Sequence, residues 1–100
     1  MQNYRHSITE KQAKKLSGIF AINHDVVPFD EWIYGLNVEL EHGRINPLTN
    51  ITNDDLIMTA KITACHMMEY HEYYKYLKMM ENTLETRSKG KKTNIFLNRL

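Results

Sequence analysis

The chain has 100 residues, a formal net charge of +1, 42% hydrophobic residues and 25% charged residues. This length and balance fit one small globular domain and exclude a disordered polymer. No apolar run approaches the roughly 20 residues of a membrane span, and the first residues lack the basic and apolar regions of a secretory signal. The single cysteine, Cys65, excludes an internal disulfide framework. We therefore expect an intracellular or packaged protein that is neither secreted nor in a membrane.

Charge is distributed unevenly along the chain. Between His24 and Asp55 there are seven acidic residues and one basic residue, whereas five basic residues and no acidic residue follow Thr86. The five basic residues are Arg87, Lys89, Lys91, Lys92 and Arg99. They are a candidate contact site for nucleic acid or an acidic partner, although basic tails are commonly only solvated. We divide the chain into a domain over 1–86 and a basic, apolar tail over 87–100.

Capping signals and periodicity predict a first and a second helix. Thr9 followed by Gln12 is a capping box, and apolar residues recur at helical spacing after it. The first predicted helix therefore spans Glu10–Ser17. The second is predicted to start with Asp30 as its cap and to end at Gly43, a residue type favoured just past helix ends.

A turn-rich loop is predicted from Gly43 to Asn53, and the paired aspartates after it favour the start of a third helix. This helix is predicted to run from Leu56 to Thr86. Its predicted buried face consists of Ile62, Cys65, His66, Glu69, Tyr73, Leu77 and Met80. Because no strand-like alternation is present, the sequence predicts an all-α fold, a small bundle of about three helices with a basic C-terminal tail.

Two pairs of Glu and His residues are the candidate site. Glu39 and His42 are one helical turn apart, and His66 and Glu69 have the same spacing in reverse order. If the second and third helices pack antiparallel, Glu39 would face His66 and His42 would face Glu69. This arrangement would give a metal site suited to zinc or iron. The alternative is that the four side chains form buried hydrogen-bonded pairs that set the helix register without any cofactor.

The sequence contains no catalytic constellation. Cys65 is followed by His66, but adjacent helical positions point about 100° apart and do not make a nucleophile and base pair. The methionine pairs Met67–Met68 and Met79–Met80 suit adaptable packing or a partner surface. The four tyrosines within 70–76 are interpreted as core and helix contacts rather than a base-stacking platform.

Two runs of residues resemble an uncharacterised family of small domains. One is Val38–Gly43, with the sequence VELEHG, and the other is His66–Tyr74, with the pattern H-x-x-E-x-x-x-Y-Y. The resemblance covers about Ile8–Glu81. Members of this family occur in bacteria, phages and large DNA viruses, and the resemblance implies no known activity.

The chain departs from the family pattern at two positions. The family commonly has proline after the paired aspartates and before the Tyr-Tyr pair, where this chain has Leu56 and His71. Proline at the first position is compatible with a helix that starts there. Proline at the second position implies a kink or break in the third helix near Tyr70.

We therefore predict a small non-enzymatic helical protein, virus-encoded or virion-associated, that works by contact with other protein subunits. Two alternatives stay open. One is a metal-binding domain that uses Glu39, His42, His66 and Glu69. The other is nucleic-acid contact through the basic tail.

Overall fold

The computed structural model describes residues 7–43, 47–91 and 95–97. These ranges contain α-helices and no strand, which confirms the all-α fold class. The helices are α1 (Glu10–Ile19), α2 (Phe29–Leu40), α3 (Leu56–Glu69) and α4 (Tyr73–Ser88). A short 3₁₀ helix, Glu41–Gly43, continues α2. Within the same ranges, no helix is long and apolar enough to cross a lipid bilayer.

Side-chain caps set the starts of α1 and α3. Thr9 Oγ1 accepts a hydrogen bond from the Gln12 backbone N–H at 3.1 Å, and Gln12 Oε1 accepts one from the Thr9 N–H at 2.9 Å. The predicted capping box is therefore confirmed. At α3, Asp55 Oδ1 accepts from the Met58 N–H at 2.9 Å, so this helix begins where the sequence predicts it.

The boundaries of α2 differ from the prediction at both ends. Pro28 occupies the N-cap position without a side-chain cap hydrogen bond, and Asp30 lies in the first turn. An aspartate there still stabilises the helix, because its negative charge lies close to the positive end of the helix dipole. The α-helix ends at Leu40, and the predicted end at Gly43 is instead the end of the 3₁₀ segment.

The helix predicted over 56–86 is interrupted between α3 and α4, so the described fold has four helices rather than about three. Tyr70 has an extended backbone, with φ −144° and ψ 110°. In a continuous helix, His66 and Tyr74 would be separated by about 12 Å along the axis, since each residue rises about 1.5 Å. The interruption lets α4 fold back, and His66 Nδ1 lies 3.1 Å from Tyr74 Oη.

The predicted buried face of the third helix is present only in part. Its half-buried members are Ile62, His66, Tyr73 and Leu77, and its exposed members are Cys65, Glu69 and Met80. The buried residues of α3 are Thr59, Ala60, Thr63 and Met67. The hydroxyls of Thr59 and Thr63 donate to the carbonyl oxygens one turn earlier, at 2.8 and 2.9 Å. Both threonines can therefore be buried, and their small side chains let α3 pack closely on α2.

The hydrophobic core surrounds α2, which contacts each of the other three helices. Its buried apolar members are Ile8, Ala13, Leu16, Val27, Trp32, Leu36, Leu40, Ala60, Met67 and Tyr74. The indole Nε1 of Trp32 donates to the Ala13 carbonyl at 3.0 Å, which ties α1 to α2. The Ile8 N–H donates to Asn37 Oδ1 at 2.8 Å and holds the segment before α1 on the same helix.

Gly43 lies against the loop that leads into α3. A Cβ added there would meet Thr52 Oγ1 and would lie 2.8 Å from the backbone nitrogen of Asp54. Asn53 and Asp54 both have positive φ, at 49° and 64°, a conformation that short polar side chains tolerate. The close approach at Gly43 holds the end of the 3₁₀ helix, and His42 beside it, against this loop.

We predict that Gly43→Ala lowers the free energy of unfolding by about 1–3 kcal/mol, because the added methyl group overpacks a fixed backbone contact. Urea unfolding followed by circular dichroism measures the change. Gly18→Ala is the matched control, since nothing lies within 4 Å of a Cβ at that position. Equal stability of the two variants would contradict the proposed contact.

Candidate functional site

Glu39 is a buried acidic residue near the end of α2. Tyr74 Oη donates a hydrogen bond to its Oε2 at 2.6 Å, and His66 Nδ1 lies 3.1 Å from the same oxygen. His42 Nδ1 lies 3.3 Å from Oε1. We call these four residues the Glu39 cluster. A buried carboxylate requires such partners, and here they come from α3, α4 and the 3₁₀ helix.

Aromatic packing holds the cluster in place. The ring of Tyr73 stacks on the imidazole of His66, with centroids 4.3 Å apart and an interplanar angle of 14°. Tyr74 meets Tyr73 edge to face at 4.9 Å. A Cβ at Gly35 would lie 2.7 Å from the Tyr74 ring, so the missing side chain lets the ring rest on the backbone of α2.

The phenol of Tyr74 stays protonated at neutral pH and donates its hydrogen bond to Glu39. Burial raises the pKa of Tyr74, and the hydrogen bond and charge of Glu39 raise it further. Each imidazole presents Nδ1 to Glu39, which leaves Nε2 as the ring nitrogen available to a ligand. A carboxylate that orients histidine in this way is a common arrangement around protein-bound zinc.

Three members of the Glu39 cluster line a cleft of about 540 Å³ between α2, α3 and α4. Glu41 and Glu81 also line it. Partial burial raises the pKa of the neighbouring Tyr34, and the charges of Glu81 and Glu41 raise it further. The cleft is therefore acidic and favours positively charged ligands over anions.

Three of the four predicted metal-site residues meet in this cluster. The predicted approach of Glu39 to His66 is present, but His42 contacts Glu39 rather than Glu69. Glu69 is exposed and lines a different surface. In the part of the chain that the structure describes, no group of three or more His, Cys, Asp or Glu side chains is arranged to hold a metal ion. Binding of zinc or iron stays a prediction.

Sequence reasoning missed Tyr74 as a member of the site. The H-x-x-E-x-x-x-Y-Y run places it eight residues after His66, which is too far for contact along one helix. The signal available from the sequence was the proline that the family resemblance implies at position 71, because a break in the helix near Tyr70 brings Tyr74 back towards His66.

The predicted basic contact residues lie at the end of α4 or beyond it. Arg87 is in the last turn, Lys89 caps the helix in a left-handed conformation, and Lys91 follows. All three are exposed. Lys92 and Arg99 lie outside the described residues. Nucleic-acid contact through this segment stays a prediction.

A second concave surface lies at the junction of α3 and α4, and we call it the α3–α4 groove. It has a volume of about 840 Å³. Its lining residues are Val26, Met67, Met68, Glu69, Tyr70, His71, Glu72, Tyr73, Tyr76, Leu77 and Met80. Most of these side chains are apolar or aromatic, and one methionine of each predicted pair is exposed in the groove.

Comparison with known protein families gives a match whose residues include both surfaces. Residues 9–83 match the family described as "Protein of unknown function (DUF5661)". The chain belongs to this family. The match confirms the predicted membership in an uncharacterised domain family, and it includes the whole Glu39 cluster of this DUF5661 protein. No curated protein and no solved structure matches the chain.

We predict that Tyr74→Phe destabilises this DUF5661 protein by about 1–3 kcal/mol at neutral pH, because Glu39 loses a buried donor. Tyr76→Phe is the control, since its exposed ring should change stability by no more than about 0.5 kcal/mol. Urea unfolding measures both variants. Similar losses in the two variants would contradict the role of Tyr74.

Tyr74→Phe also tests the raised pKa of Tyr74. The unfolded chain releases this phenolic proton at about the ordinary pKa of 10.0, whereas the folded protein retains it. Stability from this group is therefore present below pH 10 and lost as the pH rises above it. Stability should fall less steeply above pH 10 in Tyr74→Phe than in the wild type, by up to about 1.4 kcal/mol per pH unit. Parallel curves would contradict this assignment.

Proposed function

We propose that this protein is a non-enzymatic interaction module that binds a protein segment in the α3–α4 groove. The observation that carries this proposal is the set of large apolar side chains exposed around the groove. Met68 is 81% exposed and Tyr76 is 57% exposed, and Tyr70 lies exposed between α3 and α4. Contiguous apolar surface of this kind typically marks an interaction site in a small protein.

The side chains of the groove suit recognition of another chain. Methionine is flexible and polarisable, so Met68 and Met80 can adapt to the shape of a bound segment. Tyrosine offers a large apolar ring with a polar tip, and both residue types are enriched at protein interfaces. Tyr73 and Leu77 are half-buried and form the part of the lining that belongs to the packed body of the protein.

The rim of the groove adds a charge preference. Glu69 and Glu72 line it, and both lie beside the interruption between α3 and α4. A partner segment with apolar residues and flanking basic residues would complement this surface, and like charges would be disfavoured. The proposed partner chemistry is therefore an amphipathic segment with a positively charged end.

We predict that p-benzoylphenylalanine in place of Tyr76 forms a photo-crosslink to one defined protein in the native source. The same group in place of Met79, which is 54% exposed on the same helix but outside the groove lining, should not form that adduct. Mass spectrometry of the purified adducts identifies the partner.

Met68→Glu supplies a second control for this experiment. Its side chain is exposed, so the variant should keep its helical content while the adduct at position 76 is lost. Identical adducts at positions 76 and 79, or no adduct at 76, would reject the groove as a binding surface.

Metal binding by the Glu39 cluster is a second candidate function. It is favoured by the geometry of Glu39, whose two oxygens contact the Nδ1 atoms of two different imidazoles at 3.1 and 3.3 Å. Histidine held in this way can bind a metal ion through Nε2. The acidic lining of the cleft would favour a cation, and imidazole with carboxylate suits zinc or iron.

We predict about one zinc or iron per chain in untagged protein purified without chelators, with loss of the metal in His66→Ala. Elemental analysis gives the metal and native mass spectrometry gives the stoichiometry. His24→Ala is the control, because His24 lies outside the cluster and donates to the Val27 carbonyl. Metal-free wild type, or equal metal in all three proteins, would reject this candidate.

A virus-encoded or virion-associated origin is supported by the resemblance described above. Contact with nucleic acid would use the exposed Arg87, Lys89 and Lys91 at the end of α4.

A further inference from the structure

The α3–α4 groove and the cleft beside the Glu39 cluster, which we call the acidic cleft, share a wall. Tyr73 and Leu77 line both of them. Tyr76 and Met80 belong to the groove, whereas Glu81 belongs to the acidic cleft. Residues one turn apart share a helix face, so Leu77 and Glu81 follow one another along the wall of the acidic cleft. A segment bound in the groove can therefore extend over Leu77 into the acidic cleft.

Two carboxylates of the acidic cleft are available to a ligand. Glu39 is buried and already engaged within its cluster. Glu41 and Glu81 are exposed, and neither forms an ion pair in the part of the chain that the structure describes. Partial burial raises the pKa of Tyr34 and the charges of Glu81 and Glu41 raise it further, so both carboxylates lie near one phenol. A cation bound between them would relieve the repulsion of these like charges.

Basic side chains of the protein do not fill the acidic cleft. Neither lysine nor arginine is among the described residues that line it. Lys78 lies with its Nζ over the ring of Tyr34, 5.5 Å from the ring centroid, and does not belong to the lining. The imidazoles of His42 and His66 each present Nδ1 to Glu39, so a proton held there is already paired with that carboxylate. The acidic cleft thus keeps negative charge for a ligand.

The rim of the groove attracts a cation less strongly than the acidic cleft does. Of its two carboxylates, Glu72 already forms an ion pair with Lys75, whose Nζ lies 3.7 Å from Oε2. An exposed carboxylate in water also contributes little to binding energy. The positive charge of a bound segment is therefore better placed in the acidic cleft.

Arginine matches the acidic cleft better than lysine. Its guanidinium is planar and can donate to two carboxylates at once, whereas the ammonium of lysine is a strongly hydrated point charge. Tyr34 and Tyr73 line the cleft and offer aromatic surface on which a guanidinium can pack. The cleft volume of about 540 Å³ also leaves room for such a side chain, since ligand sites commonly have about 300–1,000 Å³.

Resting on the proposed function of the groove, we propose that its partner is a protein segment that inserts an arginine into the acidic cleft. Apolar residues of the segment cover Tyr76 and Met80, and the arginine donates to Glu41 and Glu81. Met80 and Glu81 point about 100° apart, which separates their side-chain ends by roughly 8–9 Å on a helix about 10–12 Å wide. An extended segment advances about 3.3 Å per residue, so the arginine lies about two to four residues from the apolar anchor.

The first test is a selection of peptides on the full chain. A random peptide library displayed on phage is selected on the wild type and then depleted on Met68→Glu, which alters the groove and leaves the acidic cleft intact. The surviving peptides should share an aromatic or aliphatic residue and an arginine about two to four residues from it. Surviving peptides without a basic residue would overturn the inference.

The second test measures the affinity of the most enriched synthetic peptide by isothermal titration calorimetry. Glu81→Gln should weaken binding by about tenfold, because a hydrogen bond between charged groups is lost, and Glu41→Gln should act in the same direction. Glu85→Gln is the matched control, one turn further along α4 and outside the lining of the acidic cleft. It should change the affinity by less than about twofold. All three carboxylates are exposed, so circular dichroism should show unchanged helicity.

A double-mutant cycle shows whether the arginine contacts Glu81. Alanine in place of the peptide arginine should weaken binding to the wild type by about tenfold or more. The same peptide should lose little further affinity for Glu81→Gln, because both changes remove one contact. Fully additive losses would overturn the assignment of the arginine to the acidic cleft.

The outcomes separate this inference from the proposed function. Peptides that require Met68 and are insensitive to Glu41→Gln and Glu81→Gln would reject the arginine site and retain the groove. A selection that yields no peptide sensitive to Met68→Glu would reject both. Peptides that require Met68, Glu81 and their own arginine would support both.

Discussion

A carboxyl group that folding removes from water must find hydrogen-bond partners inside the protein, and the arrangement of this fold depends on that requirement at Glu39. The partners are His42 from the 3₁₀ helix, His66 from α3 and Tyr74 from α4. Each comes from a different element, so the group is satisfied only when all of them have reached their final places. The Glu39 cluster thus links local helix formation to the assembly of the bundle, and it does so beneath a cleft that is open to ligands.

The need of Glu39 for buried hydrogen-bond partners also accounts for the α3–α4 groove, which we propose as the binding site. Tyr74 reaches Glu39 because the chain leaves helical geometry at Tyr70 and α4 folds back over α2. The α3–α4 groove lies where α3 stops and α4 starts, with Met68 and Tyr76 exposed around it. Gly35 makes the return of α4 possible, since any side chain there would occupy the space of the Tyr74 ring. The hydrogen bond between Tyr74 and Glu39 and the exposed apolar surface of the α3–α4 groove therefore both follow from the interruption between α3 and α4.

The candidate site was predictable only in part. The spacing of Glu39 and His42, and of His66 and Glu69, correctly indicated that Glu39 and His66 would meet, because residues one turn apart share a helix face. The position of Glu69 could not be inferred, since it lies at the last residue of α3 and the predicted register assumed that the helix continued. The burial of Thr59 and Thr63 was overlooked for another reason. Their hydroxyls donate to carbonyl oxygens of their own helix, and a pattern of polar and apolar residues does not reveal such hydrogen bonds.

Features decided within a few residues were determined by the sequence alone. The capping box at Thr9, the cap at Asp55 and the all-α class follow from local hydrogen bonds and from periodicity, which need no knowledge of distant parts of the chain. The tertiary structure decided the division of the third predicted helix, the entry of Tyr74 into the Glu39 cluster and the exposure of Met68 and Tyr76 around the α3–α4 groove. These depend on contacts between residues far apart in the chain, such as Tyr74 with Glu39, whose stabilisation outweighs the local preference for an unbroken helix.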